Sequence, residues 1–188
     1  SDVNAISMHS YYRGRLALAY LPVIKNEKGE NQGVDSAMDF ELKSMSPDYG
    51  GPLPVINTTM NTISSKKQKL RSRDGENFFL TPLFCGSTST GFLNTKIFKK
   101  GEMALSTAFS VSGAAVDPNT YATNSRPVAF LMALLNFRLG FWTDNPNPKY
   151  AGKRGRSASW YRLMLREMFG VGLNETCPQI HLSDGGHF

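Results

Sequence analysis

Residues 179–188 read Gln179-Ile180-His181-Leu182-Ser183-Asp184-Gly185-Gly186-His187-Phe188, and the fold turns on how this string is taken. Gln179–Ser183 has the composition of a short strand, Asp184 stands at its carboxyl end, and two glycines follow. In open α/β sheets that is where active sites lie. Glycine there lets the backbone turn sharply and approach a ligand with no Cβ in the way. Two readings of the string stay open: a tight Asp-Gly turn, or a catalytic carboxylate. A third gathers His181, Asp184 and His187 as zinc ligands. It is the weakest, because residues three apart on a strand point to opposite faces. A satisfied His181 in or beside the sheet is the simpler expectation.

Upstream, helical patterns alternate with short apolar runs. Met8–Leu21 spaces Tyr12, Leu16, Ala19 and Tyr20 as a helix, with Ser7 placed to cap it. Residues 22–50 read as a polar loop or insert, densest in Lys, Asn, Glu, Gly, Asp and Ser over Lys25–Tyr49. Pro52–Ile63 has strand composition, and its Asn and Thr residues require polar partners nearby. Asn77–Phe84 returns to strand character, and Gly86–Gly91 reads as a flexible loop. Met103–Val116, Ser125–Leu139 and Ser157–Phe169 read as helices. The last carries Trp160, Leu163, Met164 and Met168 on one stripe, and Trp160 and Tyr161 are expected in the core. Thr143–Gly155 reads as a basic, Pro/Asn-rich loop. Strands interleaved with helices predict an α/β layered architecture in one domain.

Composition bounds the function. Of 188 residues, 40% are hydrophobic and 19% charged, enough apolar surface for a core and too much for a disordered chain. The glycines and prolines are aperiodic, which excludes collagen and repeat architectures. Two cysteines, Cys85 and Cys177, make neither a disulfide framework nor a four-cysteine zinc site; Cys85 reads as a small buried hydrophobe. The net charge of +6 favours anionic partners. Basic residues concentrate at Lys66–Arg73 and Lys149–Arg156, with no zinc-finger, RRM or KH signature beside them. Ser1–Ser10 has no signal pattern. The most apolar run, Pro127–Leu135, is short of the ~20 residues a bilayer span needs. The chain is therefore expected to be soluble.

Two catalytic motifs fail on inspection. Gly86-Ser-Thr-Ser-Thr-Gly91 has the outline of a phosphate loop, but Phe92 stands where the motif needs Lys. No Gly-x-Ser-x-Gly nucleophile elbow occurs. Gly155-Arg-Ser157-Ala-Ser159 comes nearest without a strand before it, and Ser112 lies inside a helical pattern.

Several segments, in order, resemble the bacterial patatin-like phospholipases. They are Ile6-Ser-Met-His-Ser-Tyr-Tyr-Arg-Gly-Arg-Leu16, Gly51-Pro-Leu-Pro-Val-Ile-Asn57, Thr81-Pro-Leu-Phe-Cys-Gly86 and Val111-Ser-Gly-Ala-Ala115. Ala129-Phe-Leu-Met132, Asn136-Phe-Arg-Leu-Gly140 and Leu182-Ser-Asp-Gly-Gly-His-Phe188 complete the set. The resemblance implies a three-layer α/β/α hydrolase that cleaves acyl esters of lipids with a Ser–Asp dyad and no cofactor or metal. Asp184 matches the dyad carboxylate, with Gly185 and Gly186 completing the motif. The aspartate of such a dyad takes the serine proton directly, with no histidine between. The implied partners are a lipid or acyl-ester substrate, an anionic membrane surface, and an N-terminal segment carrying the serine elbow and oxyanion loop, with no specific nucleic acid. On this view residues 1–188 are the C-terminal part of one catalytic domain of a bacterial, cytoplasmic or membrane-associated protein, inactive alone. A reading from another class is a non-catalytic basic module that binds nucleic acid or anionic membrane.

Overall fold

A computed structural model describes residues 4, 8–21, 38, 40–45, 50–117, 126–135, 138–153 and 159–186. The helices are α1 (His9–Tyr20), α2 (Gln68–Arg71), α3 (Leu105–Ser112), α4 (Arg126–Leu134) and α5 (Trp160–Phe169). The strands are β1 (Ile56–Asn61), β2 (Gly75–Leu80), β3 (Phe84–Ser87), β4 (Gly91–Asn94), β5 (Phe141–Asp144) and β6 (Gln179–Ser183). Helices and one six-stranded sheet, ordered β4-β3-β2-β1-β6-β5, make this an α/β chain in the broad sense. Every pairing in the sheet is antiparallel. Strands β1 and β2 pair along their whole length, from Ile56 opposite Leu80 to Asn61 opposite Gly75. Strand β6 brings Leu182 opposite Met60 on one side and opposite Phe141 on the other.

Alternation along β6 and β5 feeds two cores. Ile180, Leu182 and Phe141 join Met60, Phe78 and Val111 in the larger cluster, which includes the buried side of α3. Trp142, one residue on, packs instead with Leu163 of α5 and Leu173. Successive strand residues point to opposite faces, so the sheet is covered on both faces at its β6–β5 end. Met60, Phe78, Leu80 and Leu182 are fully buried. Truncating any of them to Ala would cost ~2–5 kcal/mol.

The Asn- and Thr-rich strand satisfies part of its buried polar groups internally, while Asn57 Oδ1 and Thr59 Oγ1 are buried without a hydrogen-bond partner among the described residues. Thr58 Oγ1 donates to the Phe78 carbonyl at 2.8 Å, and Thr62 Oγ1 to that of Leu70 at 2.9 Å. At the β5 edge of the sheet, Asn4 does the work of a missing strand. Its Oδ1 accepts Trp142 N–H and its Nδ2 donates to the Trp142 carbonyl, both at 2.9 Å.

Several expectations need correction. Gly86–Gly91 is the tight connection of the β3–β4 hairpin, pinned where Ser87 and Thr90 exchange hydrogen bonds and Ser87 Oγ donates to Glu76 Oε2 at 3.0 Å. A phosphate loop leads from a strand into a helix; this one joins two antiparallel strands. The loop expected over Thr143–Gly155 contains the end of β5 and a 3₁₀ turn at Pro148–Lys153. Trp160 and Tyr161 are exposed, at 39% and 51%. The polar stretch 22–50 lies mostly outside the described residues, but Leu42 in it is fully buried. The backbone around it docks through Leu42 N–H on the Met103 carbonyl and Leu105 N–H on that of Phe40, both at 2.8 Å. The proposed caps Ser7, Ser125 and Ser157 lie outside the described residues. No helix among the described residues is long and apolar enough to cross a membrane.

Candidate functional site at the end of strand β6

Asp184 follows β6 directly and is half-buried. Its Oδ1 accepts Gly186 N–H at 3.1 Å, so the carboxylate shapes its own turn. Two other segments hold the next residue. Gly185 N–H donates to the carbonyl of Ser112, the last residue of α3, at 3.0 Å. Asn57, at the start of β1, donates its Nδ2 to the Gly185 carbonyl at 3.1 Å. Ser112 Oγ donates to the Asn57 carbonyl at 2.7 Å, closing the ring of contacts. The last carbonyls of a helix have no partner inside it; here one of them anchors the Asp-Gly turn.

The glycine requirement is local and unequal. A Cβ on Gly185 would lie 2.4 Å from the Asn57 carbonyl oxygen, an approach no side chain survives. The atoms nearest a Cβ on Gly186 would be those of the Asp184 carboxylate, at an ordinary 3.7 Å. The first glycine lets three segments converge; the second is under no such constraint.

The structure separates the residues of the zinc reading. His181 is fully buried, with Nε2 3.4 Å from Glu167 Oε1 and 3.6 Å from Asp117 Oδ1. Asp184 belongs instead to the turn, and His187 lies outside the described residues. No group of His, Cys, Asp and Glu among the described residues is arranged to hold a metal.

His181 heads a buried network that sequence reasoning missed. Glu167 of α5 accepts Arg138 Nη1 at 2.5 Å on one oxygen and Trp142 Nε1 on the other. Burial alone would lower the His181 pKa, but the Asp117 charge and the contact with Glu167 outweigh it and hold the imidazole above its usual value. Burial would raise the Glu167 pKa; the His181 and Arg138 contacts more than offset this and hold it low. A Cβ on Gly140 would come within 2.3 Å of Asp117 Oδ1, so a glycine admits the carboxylate. One sequence signal was available: Glu167 stands four residues after Leu163, on the buried stripe of α5. Asp117 and Arg138 carried none.

Among the described residues, Ser87 and Ser89 both donate to the Glu76 carboxylate in the β3–β4 hairpin, while Ser112 and Ser110 are not set up as nucleophiles. Ser112 spends its proton on Asn57. Ser110 lies 3.3 Å from His9 Nε2, yet it is fully buried and donates to the Thr107 carbonyl within its own helix. A hydroxyl without an aligned base and an approach for substrate is inert. Cys85 is buried, its thiol raised to about 11 chiefly by burial. Comparison with known proteins finds no matching family model, no matching curated protein and no matching solved structure.

Proposed function

We propose that this chain is the C-terminal part of a patatin-like lipid acyl hydrolase, a three-layer α/β/α domain in which Asp184 is the base of a Ser–Asp dyad. The observation that carries the reading is the Asp184 turn. A half-buried carboxylate stands just beyond β6, the strand next to the β5 edge of the sheet, on a peptide held by β1 and α3, with a small residue beside it. In the reaction, a serine from a segment outside these residues attacks the acyl carbonyl. Its proton passes to Asp184, which returns it to the leaving alkoxide; water then releases the acyl group by the same relay. Asn57 and Ser112 touch no substrate in this scheme. They are positioning residues for the turn.

The test joins the chain to the N-terminal segment that the reading requires, with its strand and Gly-x-Ser-x-Gly, and measures ester release. Asp184→Asn is expected to lower kcat by at least ~10²-fold. Full activity in Asp184→Ala would sink the assignment. One feature favours the second reading, a non-catalytic basic module. Lys66, Lys67, Lys69, Arg71 and Arg73 are all exposed on the connection between β1 and β2. Binding of nucleic acid through that cluster would weaken steeply with salt; salt-independent or absent binding removes it.

A further inference from the structure

Helices α4 and α5 pack on each other, with the rings of Phe130 and Phe169 6.3 Å apart, and both turn large apolar side chains outward. On α5, Tyr161, Leu165 and Phe169 recur every four residues on the solvent side, the last of them 61% exposed. On α4 and just past its end, Leu131, Leu134 and Leu135 are each more than half exposed. A single exposed leucine needs no explanation, whereas a contiguous apolar face marks an interaction surface.

Charge selects what covers it. The only carboxylate in the two helices is Glu167, and it is buried against Arg138, Trp142 and His181. Arg162 lies exposed beside the stripe, and Arg166 is half-buried with its guanidinium 4.7 Å from the Trp142 ring. At the start of α5, Trp160 and Tyr161 meet edge to face, both partly exposed, amphipathic rings of the kind that favour a headgroup boundary. An apolar stripe flanked by arginine and aromatic side chains, with no exposed acid, is the pattern of a helix lying in the plane of a bilayer interface.

We propose that the outward face of α4 and α5 is a docking surface for an anionic lipid bilayer. The proposal gives the lipid-hydrolase reading its route to substrate and rests on that reading only for this purpose; the surface is tested without hydrolysis. The 188-residue chain is sedimented with vesicles of phosphatidylcholine, with or without phosphatidylglycerol. It is expected to partition onto the anionic vesicles, less so as salt rises. Replacing Leu131 and Phe169 together with Glu should lower the partition coefficient tenfold or more, roughly, and Arg162→Gln about fivefold. Asp184→Asn should leave it unchanged.

A double variant that melts like the parent and binds equally well overturns the proposal. So does a parent that binds neither vesicle, or one whose face drives self-association instead. Where the double variant fails to fold, lipids brominated in their acyl chains decide: they should quench Trp160 in the parent, and no quenching overturns the proposal. Vesicle binding without esterase activity in the joined enzyme would sink the hydrolase reading alone. Activity on dispersed esters without vesicle binding would sink this proposal alone.

Discussion

Asn57 and Gly185 face each other in the register that pairs Thr59 with Ser183, past the last bonded residues of β1 and β6. The Asn57 amide donates to the Gly185 carbonyl at 3.1 Å, and its own carbonyl oxygen fills the space where a Cβ on Gly185 would go. The ladder is thus continued by a side chain at the point where the carboxylate turns away.

That relationship separates the two glycines. Gly185→Ala drives a methyl group into backbone and is expected to destabilise the chain by ~1–3 kcal/mol. Gly186→Ala should cost well under ~1 kcal/mol, since its Cβ meets ordinary contacts. Denaturant melts of the two variants check this; equal losses would refute the convergence described at the turn.

Asp184→Asn preserves the shape of the turn, because an amide oxygen can still accept Gly186 N–H. Its effect on folding should stay within ~0.5 kcal/mol, while the joined enzyme loses its ester hydrolysis. A large drop in melting temperature would give the carboxylate a structural role in place of a catalytic one.

The buried network makes stability depend on pH from both sides. The folded His181 pKa lies above its unfolded value of about 6.5. Its contribution is therefore fully present below that value and is lost as pH rises through the folded pKa. Glu167 is held low, so its contribution is present above the ordinary carboxylate range and is lost as pH falls through its folded pKa. Melting temperature should peak in mildly acidic solution and decline on the alkaline side. His181→Gln should remove most of the alkaline decline, and a pH series of thermal melts of both proteins reads this directly.

The thiols should differ in reactivity. Cys85 is fully buried with its pKa near 11, so at pH 8 only about one molecule in a thousand is thiolate. Cys177 is partly exposed. Iodoacetamide followed by peptide mass spectrometry should find Cys177 alkylated in the native chain and Cys85 only after unfolding.

Sequence reading located the elements that carry a strong period. Strand β6 falls where Gln179–Ser183 was expected, and α1 lies inside Met8–Leu21. It merged β3 into the strand expected at Asn77–Phe84 and missed β4 and β5, each four residues long. Strands that short hold no full alternation to read, and their partners on β3 and β6 decide them. The stripes of α4 and α5 gave apolar faces but not what those faces meet, which is why Trp160 and Tyr161 turned out exposed. Asp184, Gly185 and Gly186 were legible as a motif. Asn57 and Ser112, which fix that motif in place, lie 128 residues from Gly185 in the first case and on another element in the second. No local signal joins them.

The edge of β5 has one further meaning. Its outward-facing peptide at Trp142 is already bonded on both sides by the amide of Asn4, 138 positions earlier in the chain. An exposed edge is a template for any extended polypeptide that drifts past. One carboxamide here acts as a stopper on sheet growth: take it away, as in Asn4→Ala, and the molecule gains a sticky rim, along which copies could stack into filaments.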